Sequence, residues 1–325
     1  MQKSAISNLE ETIEEFLNIC RIDGKSPATI TAYQQSLYRF IAHARLQQEP
    51  SSRKSILAYL SAMQGLARES RHRYFRETRR FFNWATAEGH FESNPFDGLK
   101  NVRIPTKIVK PFSTDDIQKM VASLKQNLDR NIRDELVLML LLDTGIRRGE
   151  LVGIDIEDVD TAARRIRIRN AKGGNQRVVP YASQCAEKMR MYLTLRGTTP
   201  GRLLWSVHST GHIRIGAPIT ASGIRLLLAR LGRLSGVDKV HAHRFRHTFA
   251  TWAINSDARE LDVQHLLGHK SLEMVRRYSA SYQSEQAANR HSAFSPGDQM
   301  LDRFPCVPNK NKQGVIGGIS GIQQL

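Results

Sequence analysis

Over the first hundred residues the apolar positions recur every three or four residues, the period of an amphipathic helix. After Ser26-Pro27, the side chains of Ile30, Tyr33, Leu37, Phe40 and Ile41 fall on one helical face. Ser26 supplies a capping oxygen, and Pro27 suits the first helical position, where no N–H is needed. The same spacing predicts helices over 10–22, 52–67 and 69–88, the last carrying Tyr74, Phe75, Phe81, Phe82 and Trp84 and stopping at Gly89. Four such helices make a compact helical unit.

The period then fails. Pro95, Pro105 and Pro111 stand among basic residues with no apolar repeat, which predicts a linker and a domain boundary near residue 105. Ser113 with Asp116 three residues on is a capping pattern, and helices are expected over 115–124 and 133–143. Arg165-Ile-Arg-Ile-Arg169 alternates apolar and basic side chains, Gly173-Gly174-Asn175 is a turn, and Arg177-Val-Val-Pro180 returns, the pattern of a β-hairpin with one polar face. Further helices are expected near 183–195, 221–234, 247–255, 261–267 and 272–282. The expected class is therefore mainly α with a small antiparallel sheet, divided into a helical domain at 1–105, a linker at 106–112, a second domain at 113–294 and a flexible Gly-rich tail at 295–325.

Charge narrows the partners. The 325 residues hold 48 Lys and Arg against 31 Asp and Glu, a formal net charge of +17, which favours a polyanion and nucleic acid first. The three cysteines, Cys20, Cys185 and Cys306, are far apart and lack zinc-site spacing, as expected in a reducing compartment. The N-terminus lacks the basic start and apolar core of a signal peptide, and no apolar run reaches the roughly eighteen residues of a membrane span. A cytoplasmic protein without a membrane partner is expected.

The candidate chemistry is distributed: Thr144-Gly-Ile-Arg147-Arg-Gly-Glu150, Lys172 beside the hairpin turn, His243-Arg-Phe-Arg246-His-Thr-Phe-Ala-Thr251, Leu266-Leu-Gly-His269, and Tyr278. Alone, Arg-x-x-Glu is the pattern of a surface salt bridge, and a single His or Tyr commonly packs. As a set they fit attack on a phosphodiester. Arginine donates paired hydrogen bonds to phosphate oxygens and keeps its charge. A phenol with a pKa of about 10 is ionised in only about one molecule in a thousand at neutral pH, so Tyr278 needs cations or a base, which His243 and His269 can supply.

In this order the motifs resemble the tyrosine recombinase family, which includes the phage integrases, Cre and the Xer recombinases. The resemblance covers about residues 25 to 285 and implies a helical, SAM-like core-binding domain followed by the family's catalytic domain. It implies that Arg147 and Arg246 clamp the scissile phosphate, that Lys172 protonates the departing 5′ oxygen, that His243 transfers a proton, that His269 hydrogen-bonds the phosphate, and that Tyr278 forms a 3′-phosphotyrosine. Rejoining would then need no cofactor, neither ATP nor a metal. Tyr282, four residues on and on the same helical face, is the alternative nucleophile. Glu150 is expected to fix the first arginine's helix, and His241, His247 and His265 to be structural. Two positions depart from the family pattern: Phe245 stands where Leu is usual and Gln176 where Lys is common.

Six arginines, at 68, 71, 73, 76, 79 and 80, crowd one predicted helix. It resembles the helix that the family inserts into the major groove, so Arg71, Arg73 and Arg76 are candidate readers of double-stranded DNA, with solvation of an exposed face as the alternative. The resemblance further implies two sequential strand exchanges through a Holliday junction. It also implies a monomer in solution that assembles as a homo-tetramer on DNA, with residues 284–294 as an exchanged C-terminal helix or, alternatively, a frayed end, and it admits accessory proteins. Integrase of a mobile element and Xer-like resolvase both fit. A type IB topoisomerase-like enzyme and a catalytically inactive DNA-binding relative are the other classes considered.

Overall fold

The computed structural model describes residues 2–105, 109–124, 129–169, 176–269, 271–276, 288 and 291–298. The chain divides into two compact units, Met1–Lys107 and Ile108–Leu325.

In the first unit four helices, α1 (Gln2–Ile22), α2 (Pro27–Ala44), α3 (Arg53–Ala62) and α4 (Arg68–Ala87), pack about an aromatic core. Ser26 and Ser52 cap α2 and α3 by accepting from Thr29 N and Ser55 N, as the serine-first pattern dictates. Phe16 meets Tyr33 and Phe81 edge to face at 5.3 and 5.7 Å, and Phe40 meets Tyr59 and Phe82 at 5.2 and 5.5 Å. Helix α1 starts eight residues earlier than the sequence reading placed it, and Ile6 and Leu9 of its first turns extend the apolar face that continues through Ile13.

The second unit is built on α6 (Asp129–Thr144), whose Leu136, Val137, Leu138, Leu140 and Leu141 are fully buried. Helices α8 (Ser183–Arg196) and α10 (Ala242–Asn255) pack against it, and α5 (Thr114–Ala122) packs on α9 (Ala221–Ser235). The expected hairpin is present as β2 (Arg165–Ile168) and β3 (Arg177–Pro180), with Ile166, Ile168 and Val179 turned inward and Arg165 and Arg167 outward. Its turn, residues 170–175, lies outside the described residues. A short β1 (Val159–Asp160) completes this antiparallel sheet, and β4 (Trp205–Val207) with β5 (Ile213–Pro218) forms a separate two-stranded one. The periodicity missed both additions because their strands are only two to six residues long. It also missed α7 (Arg148–Val152) and began α10 five residues late, since His241 and not an apolar residue starts that helix by accepting from Arg244 N.

Phe245 is fully buried with its ring 4.7 Å from Phe112, so the unusual residue at that position fills an aromatic contact. Arg244 lies over the ring of Phe112, its Cζ 4.0 Å from the ring centre, and donates to Lys110 O and Pro111 O at 3.0 and 3.3 Å. It therefore fastens the start of the second unit and is part of the packing. The residues 272–276 are helical, and so is His291–Phe294; the remainder of the expected helix at 272–282, with most of the segment 284–294 and the tail after 298, lies outside the described residues. Among the described residues no helix is long and apolar enough to cross a membrane.

Two buried polar groups give measurable consequences. Asp134 is fully buried on α6, where Arg133 donates to Oδ1 from Nε and Nη2 at 2.8 and 2.5 Å and Arg230 pairs with Oδ2. Asp134→Ala strands buried guanidinium charge and is expected to cost about 3–5 kcal/mol, read by urea unfolding; a loss below about 1 kcal/mol, the scale of an exposed pair, would contradict this account. His247 is 6% exposed beside Thr251, its Nδ1 3.3 Å from Oγ1. Burial first, then His243 and Arg244, push its pKa down to about 4 from 6.5. Its unfolded form takes up a proton that the folded form refuses, so stability is expected to fall as pH drops from about 6.5 towards about 4. Thermal melts should show this fall, and His247→Asn should make it shallower, leaving the share that the similarly depressed His269 contributes.

Candidate active site

The site forms where four elements of the second unit meet: the N-terminus of α7, the first turns of α10, the C-terminus of α11 (Glu260–Leu267) and the start of β3. Thr144 ends α6 by returning its hydroxyl to Leu140 O at 2.6 Å, and Gly145 then turns the chain at φ 58°. A Cβ at Gly145 would sit 2.7 Å from both Leu267 Cδ2 and Phe249 Cδ1, so the close approach as well as the backbone angle requires glycine. This turn delivers Arg147 to the N-cap of α7, where its own N–H donates to Glu150 Oε2 at 2.9 Å.

The last turn of α11 leaves carbonyls with no partner inside the helix. Three consecutive ones receive arginines. Leu266 O accepts from Arg177 Nε at 2.7 Å, Leu267 O from Arg246 Nη2 at 2.7 Å, and Gly268 O from Arg147 Nη2 at 3.2 Å. Gly268 holds the left-handed conformation at φ 63° that ends the helix, and its N–H returns to His265 O. His269 follows at once, its N–H bonded to Gln264 O at 3.0 Å and its carbonyl accepting from Gln264 Nε2 at 3.1 Å.

Arg246 also donates to Gly145 O at 2.9 Å and is only 4% exposed, whereas the side chain of Arg147 is 29% exposed. Of the two arginines, Arg147 is the more open to solvent. Glu150, nearly fully buried, accepts from Arg147 Nη1 at 2.8 Å on Oε1 and from Arg177 Nη1 and Nη2 at 3.1 and 2.7 Å on its two oxygens. Burial alone would raise its pKa; the hydrogen bonds from Arg177 and Arg147 outweigh it and hold the carboxyl below its usual range. His269 is 7% exposed, and desolvation first, then Arg246, Arg147, Arg177 and His243, push its pKa down to about 4. His243 lies on the same face of α10 as Arg246, one turn away, and is more open to solvent; desolvation and Arg246 lower its pKa too. At neutral pH both rings are therefore uncharged, able to donate or accept.

The structure thus brings together Arg147, His243, Arg246 and His269. Lys172, Tyr278 and Tyr282 lie outside the described residues. The sequence singles out Arg177 as the start of a strand and as part of the Lys172–Pro180 hairpin motif that resembles the family, without giving it a role in the site. Its signal was a long basic side chain heading an otherwise apolar strand, which is ambiguous until the strand is seen against Glu150. Among the described residues no three His, Cys, Asp or Glu side chains could hold a metal ion together.

In the first unit, described by itself, α4 carries Arg71, Arg73 and Arg76. Arg76 is exposed and Arg71 and Arg73 half-buried, with Arg73 4.8 Å from the ring centre of Tyr74. Arg79 is half-buried beneath Leu99 O, so it belongs partly to the packing. Beneath them Glu77 is buried and accepts from Ser36, an acid that the crowd of arginines masked in the sequence.

Residues 110–285 match the model of the phage integrase family. The chain is 30% identical over 277 residues to the tyrosine recombinase XerC of Staphylococcus carnosus, an alignment that spans 82% of this chain and 91% of that one. It is 28% identical over 280 residues to the tyrosine recombinase XerC of Thermodesulfovibrio yellowstonii, covering 84% and 93%. Among solved structures, the XerH site-specific recombinase bound to its palindromic difH substrate superimposes with a TM-score of 0.66 at 18% identity, over 86% of this chain and 83% of that one. A lambda integrase dimer bound to a COC′ core site gives 0.63 at 19% identity, over 82% and 96%. The family match and the relatives, joined to a site that gathers two of its arginines and two of its histidines, show that the chain belongs to the phage integrase family and is a tyrosine recombinase, a site-specific recombination enzyme.

Proposed function

We propose that this recombinase binds duplex DNA and cuts one strand by attack of Tyr278 on a backbone phosphorus held by Arg147 and Arg246. The observation that supports this reading is the fixing of those two guanidiniums by neighbouring carbonyls of one helix end, Gly268 and Leu267. Two cations held in place before a phosphate arrives can stabilise the negative charge that builds on the pentavalent phosphorus without reorganising.

In the proposed step the Tyr278 oxygen forms a bond to phosphorus as the bond to the 5′ oxygen breaks. His243 accepts the phenol proton, being uncharged at neutral pH. Lys172 gives a proton to the departing 5′ oxygen, and His269 hydrogen-bonds a phosphate oxygen. A phosphate brings negative charge to His269 and opposes the cations that now depress its pKa, so the ring becomes a better donor once DNA is bound. The 3′-phosphotyrosine keeps the energy of the broken bond, and the reverse attack by a 5′ hydroxyl reseals the strand. We assign Arg71, Arg73 and Arg76 to DNA contact, take the working assembly to be a homo-tetramer on DNA formed from monomers, and place the reaction in the cytoplasm.

A nicked suicide substrate tests the nucleophile. Wild-type protein should form a covalent complex on a denaturing gel and Tyr278→Phe none; a trapped complex with the phenylalanine variant would move the assignment to Tyr282. Arg246→Ala should slow trapping by about two to three orders of magnitude, the range for losing a preorganised donor of about 3–4 kcal/mol. DNA affinity should fall with salt at a log–log slope of about −0.9 per phosphate contacted. Arg76→Ala should lower that slope by about one; an unchanged slope would mean that Arg76 solvates the helix and touches no phosphate.

A further inference from the structure

We propose that Arg177 is a positioning residue for the recombination reaction: it aims Arg147 at the phosphate by fixing Glu150 and, through Leu266, the helix end that holds both phosphate-binding arginines. This rests on the assignment of Arg147 and Arg246 to the scissile phosphate, and adds a residue that touches neither DNA nor the reacting atoms.

Every nitrogen of the Arg177 guanidinium has a partner. Nε donates to Leu266 O at 2.7 Å, while Nη1 and Nη2 reach Glu150 Oε1 and Oε2 at 3.1 and 2.7 Å. The fork is thus bidentate on one carboxylate, the geometry that fixes both distance and plane. Its side chain is 10% exposed, so water competes little for these bonds. Gly268 lies against the same group, since a Cβ there would be 3.1 Å from Nη1.

The consequence for Arg147 is electrostatic as well as steric. Glu150 Oε1 is shared by Nη1 of Arg147 and Nη1 of Arg177, and Oε2 by Arg147 N and Arg177 Nη2. One negative charge therefore faces two guanidiniums. With Arg177 in place the carboxylate is already matched, and Arg147 keeps positive potential to offer a phosphate. Without it Glu150 would pair with Arg147 alone, in a buried setting where such a pair is strong, and would draw the guanidinium towards itself. Loss of the Nε bond would also free Leu266 O, whose two following carbonyls hold Arg246 and Arg147. Lysine cannot replace it: a single ammonium cannot hold both carboxylate oxygens and the carbonyl in those directions.

The test is single-turnover cleavage of a suicide substrate by the full-length protein at saturating concentration, with binding measured in parallel. Arg177→Gln should slow cleavage by about tenfold or more, the size expected for misplacing a preorganised donor. Its DNA affinity should stay within about twofold and its salt slope unchanged, because no phosphate contact is lost. Arg177→Lys should recover only part of the rate. The double variant Arg147→Lys/Arg177→Gln should be no slower than Arg147→Lys alone, since both changes remove one function; a merely structural role would make the losses multiply. Wild-type cleavage by Arg177→Gln, a parallel loss of affinity, or multiplying losses would each overturn the proposal. If Arg177→Gln does not fold, Arg177→Lys decides: a wild-type rate overturns it. Failure of the wild-type protein to form any covalent complex would instead overturn the assignment of Tyr278, which the same gel reports separately.

Discussion

The active site depends on how one helix ends. The final carbonyls of α11 have no partner inside the helix and lie at the negative end of its dipole, so they call for donors, preferably cationic ones. This chain supplies a guanidinium to each of three successive residues, Leu266, Leu267 and Gly268, from three different elements. One backbone turn thereby sets the spacing of Arg177, Arg246 and Arg147. Because these bonds are made in the free protein, cations that would repel one another are gathered before any anion arrives.

Neighbouring residues hold that arrangement in place. Gly145 lets α6 turn into α7 with its carbonyl on Arg246 and no side chain pushing Leu267 away. Glu150 supplies the one carboxylate and lies too deep to be replaced by water. The same crowding of cations, together with burial, keeps His269 uncharged at neutral pH. Guanidiniums hold their charge under these conditions and imidazoles give it up, so the proposed phosphate-binding groups stay cationic while the proposed proton-transfer groups are uncharged.

Much of this was legible in the sequence, for identifiable reasons. Ser26-Pro27 and Ser113 fixed helix starts through capping, and the alternation of Arg165 to Arg169 gave a strand with the correct inward face. The motif order pointed to Arg147, His243, Arg246 and His269, and all four converge. Elements too short for a repeat escaped notice: α7, β1 and the hairpin of β4 and β5 are specified by contacts with the rest of the fold rather than by local pattern. Arg177 escaped for a similar reason. Its partners, Glu150 and Leu266, are remote in sequence, and one of them is a main-chain carbonyl that carries no sequence signal at all. Glu77 was hidden by the arginines around it, whose charge suggested a uniformly basic helix.

The central claim is that the end of α11 presents Arg147 and Arg246 together to a single phosphate. A crystal structure of the protein on a duplex with orthovanadate bridging the Tyr278 oxygen and the 5′ oxygen would test it most directly. The account predicts both guanidiniums within hydrogen-bond distance of the same vanadium-bound oxygens while still bonded to Gly268 O and Leu267 O. Guanidiniums that have left those carbonyls, or that sit on separate phosphates, would contradict it.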